Sequence, residues 1–81
     1  MNKYKATQGS EENMSKSVLT KREKEVFSLL VENKTTKEIA DLLSISEKTV
    51  RNHISNTIQK LSVKGRAGAV IELVRLGEIT L

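Results

Sequence analysis

The chain has 81 residues, no cysteine, no proline, a single histidine and a formal net charge of +4. This length allows one domain at most, and a domain so small buries only about 60% of its unfolded surface, so a binding partner is expected to support it. The composition provides no disulfide framework and no thiolate or multi-histidine metal site, and no apolar run approaches the ~20 residues needed to span a bilayer.

Residues 1 to about 17, MNKYKATQGSEENMSKS, are rich in Lys, Ser, Asn, Gln and Glu. After Met1 their only large apolar side chains are Tyr4 and Met14, too few to offset the entropy of ordering, so a flexible N-terminal arm is expected. The segment has no apolar stretch of the signal-peptide kind, which favours a soluble, cytoplasmic protein.

Order is expected over residues 18–81, opening at LTKRE, where Thr20 and Glu23 have the spacing of a reciprocal capping box. A first helix then runs from Lys21 to about Glu32, with Val26, Phe27 and Leu30 on one broad apolar face and Asn33 as a left-handed terminator. A second, of about two turns, starts at Thr35 or Thr36 and carries Ile39, Ala40, Leu42 and Leu43 before Ser44 interrupts it. Ser46 restarts a third helix, with Glu47 in its first turn, where an acid suits the dipole. On a helical wheel Val50, Ile54, Ile58 and Leu61 line one side of this helix and Lys48, Arg51, Asn52, Ser55 and Gln59 the other, with His53 between them. After SVKG a fourth helix runs from about Arg66 to Leu76, and Gly77 suits its C-terminal cap. No alternating β pattern appears, so the fold class is all-α: four short helices.

Position along the chain makes the charge informative. From Lys34 to Arg66 there are seven bases against three acids, so the whole excess of +4 falls on the second and third helices and their continuation. A polyanion-binding surface has this character. A short helix, a tight corner and a longer helix with a polar outer face form a helix-turn-helix, whose second helix enters the DNA major groove. Small Ala40 lets the two helices cross closely, with Val50 and Ile45 filling the angle. Ser44 occupies the corner, where many such motifs have glycine.

The stretch LTKREKEVFSLLVENKTTKEIADLLSISEKTVRNHISNTIQKLSVKGR resembles the LuxR/FixJ-type output domain, joining LTKRE, KEIA, SEKTV, H and KL at the spacing of that family. The likeness runs from Leu19 to about Gly77, with Asn33 standing where the family usually has glycine. It implies a LuxR-type helix-turn-helix domain that binds double-stranded DNA sequence-specifically, as a homodimer, to regulate transcription, with RNA polymerase as a further candidate partner. The family's base-reading positions fall on Arg51, Asn52 and Ser55, which the wheel also places outermost. Arginine can give two hydrogen bonds to guanine and asparagine can pair with adenine. Phosphate contacts are expected from Thr36 and Lys37, where free amides at a helix start favour an anion, and from Lys48, Thr49, Lys60 and Lys64.

The fourth helix, RAGAVIELVRL, carries two apolar stripes. Ala67, Val70, Ile71 and Val74 are expected to pack on the first and third helices. Ala69, Leu73 and Leu76 are then left as an exposed patch for a two-fold dimer, with Leu73 near the axis and Ile79 and Leu81 adding to the contact. An enzyme is not expected, since there is no second histidine, no glycine-rich phosphate loop and no carboxylate cluster, and no cofactor or metal is called for. A protein-binding adaptor and a promoter-reading fragment like the last domain of a sigma factor remain as alternatives. With no receiver or small-ligand domain in these residues, control by abundance is expected if the chain is complete.

Overall fold

The computed structural model describes residues 19–81, and the arm expected at residues 1 to about 17 lies outside them. The described residues form four α-helices and no strand: α1 Lys21–Val31, α2 Thr36–Leu43, α3 Glu47–Leu61 and α4 Arg66–Arg75. Three of the four start on a hydroxyl cap. Thr20 and Glu23 exchange the two bonds of a capping box, as do Thr35 and Glu38, and the Ser46 hydroxyl accepts from the Thr49 amide at 3.0 Å. These bonds satisfy amides that a helix start otherwise leaves open.

All four helices end in the same way. A residue with positive φ follows the last turn, Asn33 at 68°, Ser44 at 58°, Ser62 at 55° and Gly77 at 77°. The next amide then reaches back five residues, Lys34 to Leu29, Ile45 to Ala40, Val63 to Ile58 and Glu78 to Leu73. This is the left-handed helix stop, which supplies donors to the otherwise orphaned last carbonyls and turns the chain sharply. Ser44 takes up the corner of the helix-turn-helix despite its side chain, and Ser62 does the same after α3.

The core is formed by Leu19, Val26, Phe27, Ile39, Ala40, Val50, Ile54, Ala69, Leu73 and Ile79. Helix α3 lies at its centre and packs on each of the other three helices, so one side of it is locked inward along its length. Thr57 is fully buried on that side and its hydroxyl donates to the His53 carbonyl at 2.9 Å, which meets its hydrogen-bonding need within the helix.

Helix α4 turns its faces the other way from the sequence expectation. Ala69 and Leu73 are fully buried and belong to the core, while Ile71 is 68% exposed, Ala67 is exposed and Val70 and Val74 are half-buried. Ala69 and Leu73, and with them Ile79, are therefore enclosed in the core and not available as a dimer patch, whereas Leu81 is exposed. Leu76 does reach the surface, at 48% exposure, because α4 has ended at Arg75 and the chain is turning toward Gly77. The reversal has a packing reason. Small Ala69 lets α4 approach closely, and a β-carbon added at Gly68 would stand 3.3 Å from the Val63 side chain. The glycine thus lets the start of α4 settle against the α3–α4 connection. Leu73 fills the space beyond, and the sharp turn at Gly77 folds Ile79 back into the core.

One charged residue is buried among the described residues. Glu23 is 3% exposed, and its Oε1 accepts from the Thr20 amide at 2.9 Å and from Lys60 Nζ at 2.7 Å. Burial pushes this carboxyl up, but the Lys60 ammonium and the Thr20 bonds outweigh it and hold the group below its ordinary value of 4.5. A carboxyl depressed on folding stabilises fully above its unfolded value, and that contribution is lost as pH falls through the lower folded value. The melting temperature of the parent should therefore drop more steeply than that of Glu23→Gln as pH falls below about 4.5. Parallel curves would show that the pair contributes no pH-dependent stability.

Candidate nucleic-acid interface

The buried side of α3, with Val50 and Thr57 fully enclosed and Ile54 nearly so, fixes what the helix shows to solvent. Lys48, Arg51, Asn52, Ser55 and Gln59 are all exposed, and their spacing gathers them on one face opposite the core. The three expected base-reading residues are thus brought together, with Lys48 one turn before Asn52 on the same face.

Arg51 pairs with Glu47 one turn earlier, at 3.8 Å, and both side chains are about half exposed. A surface pair of this kind is worth about 0 to 1 kcal/mol, so the guanidinium can exchange it for a base edge at little cost. The guanidinium is thus only loosely held beside α3.

At the start of α2 the capping box uses the amides of Thr35 and Glu38. The Thr35 amide also holds the Glu38 carboxyl below its ordinary value. The amides of Thr36 and Lys37, first and second in the helix, have no intrahelical acceptor and point along the positive end of the dipole. Lys37 is well exposed and only loosely paired with Asp41, at 3.8 Å. Thr49, in the first turn of α3, shares a 2.9 Å hydroxyl contact with Ser46 and is half-buried.

Lys60 departs from the expected set. Its ammonium is bonded to Glu23, and on the wheel it falls beside His53 and Thr57, at the edge of the buried side. One of its three ammonium donors is thus committed to the buried Glu23 carboxylate, while the residue itself stays exposed. Lys64 lies in the connection after α3, exposed and away from the reading residues along the chain. His53 is half-buried and lines a polar groove with Thr20, Glu23, Asn56, Gln59 and Lys60.

Two features escaped sequence reasoning. Thr57 follows Val50 and Ile54 at helical spacing, so the pattern did mark it as inward, but a polar side chain conceals that signal. The Glu23–Lys60 pair joins residues 37 positions apart, and no local pattern announces it.

The model for bacterial regulatory proteins of the luxR family matches residues 17–73. The chain is 72% identical over 67 residues to the spore germination protein GerE of Bacillus subtilis (strain 168), covering 83% of this chain and 90% of GerE. It is 45% identical over 60 residues to the transcriptional regulatory protein DegU of Brevibacillus brevis, but spans only 25% of that protein. A solved structure of the transcription factor GerE superposes with a TM-score of 0.79 at 63% identity, covering 80% of this chain and 97% of that one. With the helix-turn-helix geometry and a family match across most of its length, the chain belongs to the luxR family of bacterial regulatory proteins.

Proposed function

We propose that this chain reads duplex DNA as a two-fold dimer, with α3 of each copy in the major groove and Arg51 and Asn52 making the discriminating contacts. Sequence-specific DNA binding in the control of transcription is the function of this family, and the chain is a regulator of that kind and not an enzyme. The adaptor and sigma-like readings give way to that membership. The observation that carries the finer reading is the outer face of α3, held outward by a fully packed inner face. Ser55 adds a hydroxyl that accepts either partner. Thr36, Lys37, Lys48, Thr49 and Lys64 supply the phosphate contacts that set register.

The apolar stripe of α4 that reaches the surface, Ile71 and Ala67 exposed with Val70 and Val74 half-buried beside them, supports a dimer contact with Ile71 near the axis. Two copies related in this way would set their α3 helices about 34 Å apart, in successive major grooves of a near-palindromic site. RNA polymerase is the natural second partner of a transcription regulator, and the cytoplasm the natural place for it to act. Among the described residues no helix is long and apolar enough to cross a membrane. The likeness to a spore germination protein supports a role in controlling genes of spore formation.

Selection of sites from a random duplex pool, followed by competition binding, tests this reading. Arg51→Ala and Asn52→Ala should each cost about 1 to 3 kcal/mol of discrimination while leaving random-sequence binding nearly intact. Lys37→Ala should weaken all sequences alike and flatten the salt dependence by about one unit of slope. Uniform weakening by Arg51→Ala would make it a phosphate contact and overturn the assignment.

A further inference from the structure

The inner face of α3 is held by Val50 and Ile54, whose apolar contacts are non-directional, and by Thr57, whose only hydrogen bond stays within its own helix. Packing of that kind sets which face of α3 points inward, and a directional bond at its end adds a finer restraint on rotation and slide. The Glu23–Lys60 bond is directional and crosses between helices. Glu23 Oε1 is fixed on α1 by the Thr20 amide, at 2.9 Å, and the same oxygen accepts Lys60 from the last turn of α3, at 2.7 Å. A single buried oxygen therefore ties the N-cap of one helix to the C-terminal end of the reading helix. Lys60 lies five residues after Ser55, about 7 to 8 Å along the helix axis, so a small rotation at Lys60 is carried to the reading residues.

We propose that Lys60 and Glu23 are a positioning pair for sequence recognition, acting through α3 and not by touching DNA. The proposal rests on the reading that α3 recognises bases. Base-edge hydrogen bonds tolerate displacements of only about 0.5 Å, whereas phosphate contacts by long lysines adapt to larger ones. Loss of the tie therefore lowers discrimination while leaving general affinity in place. A phosphate-contacting Lys60 predicts the opposite pattern.

The test uses a duplex selected by the parent protein from a random pool and a random-sequence duplex of equal length, with every variant confirmed folded by circular dichroism. Lys60→Met should reduce the ratio of selected to random affinity by about tenfold, the scale of one mismatched base pair, with the salt slope on random DNA unchanged. Lys60→Arg, which keeps a donor for Glu23, should recover most of the ratio. If Lys60→Met does not fold because it strands the buried carboxylate, Glu23→Gln combined with Lys60→Met removes that charge and should show the same loss. A salt slope reduced by about one unit with the ratio intact would return Lys60 to the phosphate contacts and overturn the proposal. An unchanged ratio and slope would make the pair a stabilising contact only, and also overturn it. Arg51→Ala measured alongside separates the two levels: if it leaves the ratio unchanged, base reading by α3 fails whatever Lys60 does.

Discussion

Leu73→Asp should abolish the cooperative thermal transition of this domain. Leu73 is fully buried in the core, where α4 meets the rest of the fold. Truncation of a buried leucine costs about 2 to 5 kcal/mol, and the aspartate adds an unpaired carboxylate that must either stay charged in an apolar site or take up a proton. A domain of this size has a total stability of only about 4 to 12 kcal/mol. Most or all of it is therefore removed, and near-ultraviolet circular dichroism and dispersed amide resonances should be lost together. Leu73→Ala, without the charge, should keep a cooperative transition but lower its midpoint, by about 4 to 8 °C for each kcal/mol lost. A Leu73→Asp protein that melts like the parent would show that this side chain is not enclosed, and would reopen the exposed-patch expectation.

Ile71→Asp should have the reverse profile. Ile71 is 68% exposed, so the folded monomer should change in stability by no more than about 0.5 kcal/mol. In the proposed dimer the two copies of residue 71 meet near the two-fold axis, and two aspartates there would repel across a contact that should be apolar. Juxtaposed like charges cost several kcal/mol, so the cooperative gain from binding a full palindrome should fall by about a hundredfold or vanish, while half-site affinity stays close to that of the parent. Titration of a full site and a half-site, with sedimentation of the free protein, measures both quantities. An equal fall on the two duplexes would place the contact elsewhere. The pair of variants separates the two stripes of α4: one should destroy the fold and leave nothing to dimerise, the other should leave the fold and remove the dimer.

The local features of this protein were legible because each depends on residues a few positions apart. The capping box at Thr20 and Glu23, the Ser46 cap, the left-handed stop at Asn33 and the cap at Gly77 all lie where the spacing puts them. The outward face of α3 was legible for a related reason. Its apolar residues form one stripe, so burying that stripe leaves one choice for Arg51, Asn52 and Ser55. Helix α4 offered no such choice, since Ala67, Val70, Ile71 and Val74 compete with Ala69 and Leu73 at similar hydrophobicity. Periodicity states that a face is apolar but not which of two apolar faces meets a neighbour. Close approach at Ala69 and Gly68, and the return of Ile79 to the core, decided it. The Glu23–Lys60 bond likewise existed only once α1 and α3 were packed together, because a carboxylate in a capping box and a lysine at a helix end each look complete when read alone. Sequence by itself determined the helices, their ends and the single-striped reading face, where the interactions are local. Tertiary structure alone decided which stripe of α4 is enclosed and which lysine holds the buried carboxylate, because both depend on neighbours that arrive from far along the chain.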